Sequence, residues 1–578
     1  MKKLLIHSVV LVVGVLAVYL LAPHASVSPR EDYEHFLNHH PFAKILAAAR
    51  EESEEEGESE GENEADSPEK ALLQDYLRTM DPAIKSPTPL VLLPLNERTA
   101  GFRDGKQVGA RTQATSLSTA TVWTERGPST VGGRTRALMF DPNDPTNKKV
   151  WAAGVSGGLW YNGDITSATS SWKKVDDLWD NLAISCIASD PVNKNIFYVG
   201  TGELEWIVRG GGIWKTSNGG STWTRLTNTQ NFLEVRDIVV RNENGVGVVY
   251  AGVKPGFGKD NPTYSGGLFR SADGGITWAQ VLPLAQGSTQ YTNLPTDIAI
   301  AADNSIWVGT TKHFWETGAN STIYKSSTGL AGSWTAISTF TASNLKFTGQ
   351  IQLGIAPSNP STVYAAIEEK GKIGGIFIST NAGTTWSGLA LPVAADTGIP
   401  VADFTRGQAS WDLTLGVHPS DPNTCLIGGV DLYMTTNAGG AWTQISKWSN
   451  NPNMNTLTCS LVHADQHTII FRPGFPNEVV VANDGGVFYA TNITTSATSS
   501  VFGARNLNYN VTQFYSAALH PTLTNFMLGG TQDNGTPKFT LPGFGTTVDV
   551  YGGDGAMCFI DQLTPNYQIA SYTYNVII

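Results

Sequence analysis

The sequence predicts an all-β fold, a β-propeller of about eight four-stranded blades (a count between seven and ten), preceded by a mostly disordered leader. Three observations carry this expectation. A turn ending in tryptophan recurs about every 55 residues. A second set of turns, rich in Pro, Asn and Asp, recurs at the same period. The composition is 41% hydrophobic and only 15% charged, with 60 glycines and 16 tryptophans, which suits many tight turns between buried strands.

The chain has 578 residues and opens with an export signal. Lys2 and Lys3 precede an uncharged apolar run over 8–22, the layout of a signal peptide over 1–25. An uncleaved membrane anchor is the alternative, because cutting after Ala25 puts Pro23 at the third position before the cut. Either way the remainder is expected to be secreted or held at the cell surface, and any membrane contact would run through this segment alone. Residues 26–118 read as a leader. A short helix is expected over 41–50, with Pro41 in its first turn. The stretch 51–69 then holds eleven acidic groups and no basic one, so it repels itself and buries nothing. The formal net charge is −12. Without that stretch the chain is close to neutral. No basic face is evident, which argues against nucleic acid as a partner.

The repeats occupy 119–578. The sharpest copy is Thr216-Ser-Asn218-Gly-Gly220-Ser-Thr222-Trp223. Its equivalents pair Asp273 with Trp278, Asn381 with Trp386, and Asn437 with Trp442. A worn copy runs from Ser326 to Trp334. Asp or Asn at the third position can cap backbone amides across a hairpin turn. The glycine supplies a positive φ, and the tryptophan buries a large ring between sheets. These residues are therefore read as structural. The second set of turns includes Asp141-Pro142-Asn143, Asp190-Pro191, His418-Pro419 and His520-Pro521. The two sets alternate, giving two hairpins per repeat. The last blade reads as incomplete. The four cysteines are far apart and form no Cys-x-x-Cys pair, leaving one or two disulfides or buried free thiols open.

The tryptophan-ended turns resemble those of the Asp-box (BNR-repeat) propellers, a family that includes sortilin-type receptor domains, sialidases and xyloglucanase-type glycoside hydrolases. Gly132-Gly133-Arg134-Thr-Arg136 followed by Gly157-Gly158-Leu-Trp160 looks like a first blade of secreted bacterial sortilin-like and xyloglucanase-like proteins. Asn483-Asp484-Gly485-Gly486 and Gly529-Gly-Thr-Gln-Asp533 carry the same resemblance. It implies a sortilin-like binder of a peptide, protein or glycan, or alternatively a hydrolase using two carboxylates. Where xyloglucanase-type enzymes carry Asp-x-Gly-Gly on the first blade, this chain has Val155-Ser156-Gly157-Gly158; in Asn483-Asp484-Gly485-Gly486 the carboxylate falls one residue later. Sialidases carry Phe/Tyr-Arg-Ile-Pro, and the nearest string, Phe471-Arg472-Pro473, lacks the Ile.

Propeller geometry sorts the polar residues. Loops between second and third strands and between blades gather on one rim, opposite the repeating turns. That rim is expected to carry Glu203, Asp484, Asp533 and Asp554 as candidate carboxylates for catalysis, and Arg134, Glu203, Trp206, Trp315 and Trp411 as ligand contacts. Arg134 is expected to pair with Asp554, and Trp179 and Tyr509 to join the rim. His463-x-Asp465-x-His467 alternates as one face of a strand would, making these three the candidate ligands of a divalent metal. No Gly-x-Ser-x-Gly, phosphate loop or dinucleotide fingerprint stands out.

Overall fold

The computed structural model describes Met80–Asp81, Ser86–Pro87 and residues 127–572, apart from Asp180 and the segments 204–209, 256–265, 314–319, 338–348 and 541–546. The export signal expected over 1–25, the helix expected over 41–50 and the acidic run lie outside the described residues. The chain divides into two units, Met1–Thr88 and Pro89–Ile578. In the first, Met80–Asp81 pairs with Ser86–Pro87. No helix among the described residues is long and apolar enough to cross a membrane.

Among its described residues the second unit holds eight four-stranded antiparallel sheets, each a meander of consecutive strands. The first strands of seven of them pack on one another in sequence: Thr135–Phe140, Ile184–Ser189, Glu234–Glu243, Leu294–Ile300, Ile351–Ile355, Thr414–Val417 and Gln466–Arg472. The seventh packs back on the first, so the ring closes at seven blades. The hydrophobic effect explains how. Each apolar core lies between two neighbouring blades, as where Leu138, Val150 and Ala152 of the first blade meet Val480, Ala482 and Val487 of the seventh. Among the described residues no strand is exchanged to close the ring. The eighth sheet, Phe514–Leu519 through Thr547–Asp549, packs instead against the hairpin of Gly555–Ile560 and Gln568–Tyr572.

The tryptophan-ended turns repeat one bonding scheme. Thr222 N–H donates to Asn218 Oδ1 at 2.9 Å, and Gly220 N–H to Thr216 Oγ1 at 3.0 Å. Thr277 to Asp273, Thr385 to Asn381 and Ala441 to Asn437 repeat the first bond, each at 2.9 Å. The tryptophans then tie blades together. Trp386 Nε1 donates to Ile337 O, and Trp442 Nε1 to Ala390 O, each in the preceding blade. All four cysteines are buried and unpaired.

One irregularity shapes the axis. In blades one to four and seven the innermost strand carries a bulge near its start, which skips Arg136, Ser185, Arg236, Thr296 and His467. A bulge sets two residues opposite one and re-aims a side chain. All five skipped residues line one axial cavity of about 240 Å³.

Candidate functional site

Arg134 stands just before the first innermost strand, 6% exposed, and gathers three carboxylates. Its Nε donates to Asp484 Oδ1 at 2.7 Å and its Nη2 to Asp484 Oδ2 at 3.2 Å. The same Nη2 donates to Asp533 Oδ2 at 2.7 Å, and Nη1 to Glu203 Oε1 at 3.3 Å. The shared Nη2 holds oxygens of Asp484 and Asp533 within about 6 Å of each other. Each acid sits in a turn between the second and third strands of its sheet: Glu203 in the second blade, Asp484 in the seventh and Asp533 in the eighth sheet. The two glycines after Asp484 allow close packing. A Cβ on Gly485 would fall 2.3 Å from the His463 ring, and one on Gly486, at φ +110, 2.4 Å from Asn506 Oδ1. Asp533 holds the left-handed φ of +59.

The acids are pushed apart electrostatically. Burial raises the Glu203 carboxyl, against the opposing pull of Arg134. Burial works the same way on Asp484, but the Arg134 charge and the His467 bond overcome it and hold that carboxyl well below the usual range. Asp554 Oδ1 accepts Asp533 N–H at 2.9 Å.

A second layer lies beneath. Arg136 Nη1 donates to Trp411 O and to His467 Nδ1, each at 2.7 Å. A guanidinium can only donate, so Nδ1 accepts, and the ring proton sits on Nε2, which donates to Asp484 Oδ1 at 2.6 Å. Burial, then the neighbouring Arg136 charge, lowers the His467 pKa to about 4, and the ring is neutral at pH 7. Asp412, 1% exposed, places Oδ1 3.5 Å from His467 Nδ1. Burial and then Asp465 and Asp484 push its carboxyl well up from the usual range.

Several expectations need correcting. Arg134 pairs with Asp484, Asp533 and Glu203 rather than Asp554, because Asp554 is taken by the Asp533 amide. His463, Asp465 and His467 do not share a strand face. Their strand begins at Gln466, Asp465 turns at φ +67, and the bulge re-aims His467. His463 Nε2 instead meets Asp533 O at 2.9 Å. Among the described residues, the group that brings ligand atoms within 4.8 Å of one another is Asp412, His467 and Asp484. A divalent cation fits it poorly, since Arg136 already bonds His467 Nδ1 and Arg134 already neutralises Asp484. Trp179 stacks on Trp214 at 4.4 Å between the first two blades, and Tyr509 is fully buried between the seventh and first. Neither reaches the rim. Trp411 lines the cavity, while Trp206 and Trp315 lie outside the described residues. Sequence reading set Arg136 beside Arg134 on one face of the first inner strand without giving it a ligand role, and missed Asp412 altogether; Asp412 follows a run of turns, with no motif to mark it.

These features define a β-propeller whose ring face carries a buried arginine–carboxylate network. No protein-family model matches the chain. Among curated proteins it is similar to a xyloglucanase of a Paenibacillus species, 23% identical over 357 residues, which are 56% of this chain and 32% of that protein. It is also similar to a xyloglucanase of Hypocrea jecorina (strain QM6a), 23% identical over 387 residues, 56% of this chain and 39% of that protein. The chain thus spans between 32% and 39% of the length of these relatives. The GH74 xyloglucanase structure from Xanthomonas campestris superposes with a TM-score of 0.52 at 16% identity, over 77% of this chain and 65% of that one. An ancestral GH74 enzyme gives 0.52 at 17%, over 79% and 61%. These likenesses establish the propeller fold.

Proposed function

We propose that the protein is a carbohydrate-active propeller of the glycoside-hydrolase type, taking a polysaccharide across the ring face at the Arg134 network. One observation carries the reading: a single guanidinium, Arg134, gathers the carboxylates of Glu203, Asp484 and Asp533 on one face of the ring. Glu203, raised by burial, would protonate the leaving glycosidic oxygen. Asp484, held ionised, would serve as the base or nucleophile. The similarity to xyloglucanases supports a glycan over a peptide as the ligand. Lys2 and Lys3 ahead of the apolar run over 8–22 have the layout of an export signal, which supports an activity outside the cytoplasm.

The test is release of reducing ends from xyloglucan and a panel of other polysaccharides by the full chain. Glu203→Gln and Asp484→Asn should each cut the rate by about 10²–10⁴-fold, the usual worth of an acid or base. No cleavage of any polysaccharide would overturn the reading.

A second reading, binding without cleavage as in the Asp-box and sortilin-type propellers, is favoured by one fact. Both oxygens of Asp484 are already bonded, to Arg134 and His467, and Val155 stands where xyloglucanase-type enzymes carry a first-blade carboxylate. A glycan array with unchanged binding by Asp484→Asn would support it.

A further inference from the structure

We propose that the axial cavity is a carboxylate-binding site anchored by Arg136, and that its ligand class is a uronate sugar. The sugar half of this assignment rests on the glycan reading above; the anion half stands on the cavity itself.

The cavity, about 240 Å³, adjoins the Arg134 network, since Glu203, bonded to Arg134, and His467, bonded to Asp484, both line it. A water's share of the liquid is about 30 Å³, so the space exceeds one bridging water and suits a single sugar ring. Three buried donors have no partner among the described residues: Arg136 Nε, Arg136 Nη2 and Trp411 Nε1. They belong to adjoining residues, since Arg136 Nη1 bonds the carbonyl of Trp411 itself. Unpartnered buried donors call for an acceptor-rich group, and a guanidinium edge offering Nε and Nη2 matches the two oxygens of a carboxylate.

The charges around the cavity agree. Arg136 donates its hydrogen bonds to neutral acceptors, a carbonyl and an imidazole nitrogen. Burial, then repulsion from Arg134, lowers its pKa only to about 10, so it keeps its charge at pH 7. Among the described residues no carboxylate lies within ion-pair distance of Arg136; the Asp484, Asp412 and Glu203 charges act on it from farther off, and a bound anion would pair it directly. The acids facing the same space are engaged. Glu203 accepts from Arg134, and Glu234 sits 3.8 Å from Arg236. Asp237 and Asp297 accept the backbone N–H groups of Ile298 and Leu353. Burial and then Asp297 push Asp237 up to about 7, and burial pushes Asp297 up to about 6, so near neutrality both are partly protonated and resist an anion weakly.

The experiment titrates the full chain calorimetrically with glucuronate, its methyl ester, glucose and inorganic sulfate. Glucuronate should bind saturably, at least tenfold tighter than the ester or glucose. Arg136→Gln should weaken it at least tenfold, and Trp411→Phe, which removes one N–H and keeps an aromatic ring, severalfold. Should Arg136→Gln fail to fold, Arg136→Lys and Trp411→Phe carry the test. Equal binding of acid and ester, sulfate outcompeting glucuronate, or no binding at all (a cavity holding only water) would overturn the proposal. A neutral xyloglucan oligosaccharide is titrated alongside. If it binds while glucuronate does not, this inference fails and the glycan reading stands; if glucuronate alone binds, the anion site stands and a neutral polysaccharide is excluded.

Discussion

Arg134 bonds two buried carboxylates and the partly buried Asp533, so its removal exposes what each side chain costs alone. Arg134→Met should strand Asp484, Asp533 and Glu203 without their cation. Breaking a buried pair from one side costs about 3–5 kcal/mol, and chemical denaturation of the variant should show a loss of that size. Arg134→Lys, with one charge but no fork, should fall between. The buried acids also set a pH dependence. Asp237 and Asp297, pushed up to about 7 and about 6, bind more protons folded than unfolded between pH 4 and 7. Their contribution to stability is therefore complete below pH 4 and lost as pH rises through 7. Raised Glu203, Asp412 and Asp431 act in the same direction. Asp484 acts oppositely, but only below about pH 4. The melting temperature should thus fall from pH 5 to pH 8, and Asp237→Asn should flatten that slope; a flat slope in the parent protein would refute the assignment. At this scale Glu203, Asp484, Asp533 and Arg134 were legible, because charged residues in glycine-marked loops between strands must meet on one rim. Arg136 and His467 were legible as residues but not as neighbours. Strict alternation is what sequence offers, and a bulge breaks it without a composition of its own.

Among the elements, the recurring turns were the most legible, because their chemistry is local. A Ser or Thr hydroxyl, an Asp or Asn carboxyl or amide and a glycine at positive φ satisfy one another within eight residues, whatever the rest of the fold does. The glycine does two jobs that can be separated. Gly383 stands at φ +85, and a Cβ there would lie 2.6 Å from Ile337 Cδ1 in the preceding blade. Gly245, at φ +86, has open space in the Cβ direction. Gly245→Ala should therefore cost the conformational part alone, about 1–2 kcal/mol. Gly383→Ala should cost clearly more, because the neighbouring blade must shift. Equal losses in urea denaturation would mean that the turn does not set blade spacing. The bulges, by contrast, depend on how an innermost strand leans on its neighbours around the axis, and that is decided only once the blades have met.

The ring's closure is a property of the whole molecule, and it explains why counting repeats yielded eight sheets but could not say which of them meet. Periodicity reports how many times a pattern recurs. Closure depends on whether the outer face of one blade complements the open face of another far along the chain. Here the seventh blade's Val480, Ala482 and Tyr489 meet the first blade's Leu138, Ala152 and Trp160, and the eighth sheet is left to its own neighbour. The seam has no shared strand among the described residues, so side-chain packing holds it together with hydrogen bonds such as Arg134 to Asp484 and Arg472 Nε to Asn147 O. Tyr509 is its centre: fully buried, 4.7 Å from the Trp172 ring, 5.8 Å from the Trp160 ring, and 3.0 Å from Thr135 Oγ1 through its hydroxyl. Truncating a buried aromatic typically costs about 3–5 kcal/mol, and Tyr509→Ala should lose about that much. The distribution of the loss matters more than its size. Hydrogen exchange should accelerate first in Val150–Gly154 and Phe475–Asn483, the strands flanking the seam, while Val246–Lys254 across the ring keeps its protection. Uniform acceleration around all seven blades would show that the ring opens as one cooperative unit, with no seam weaker than the other six interfaces.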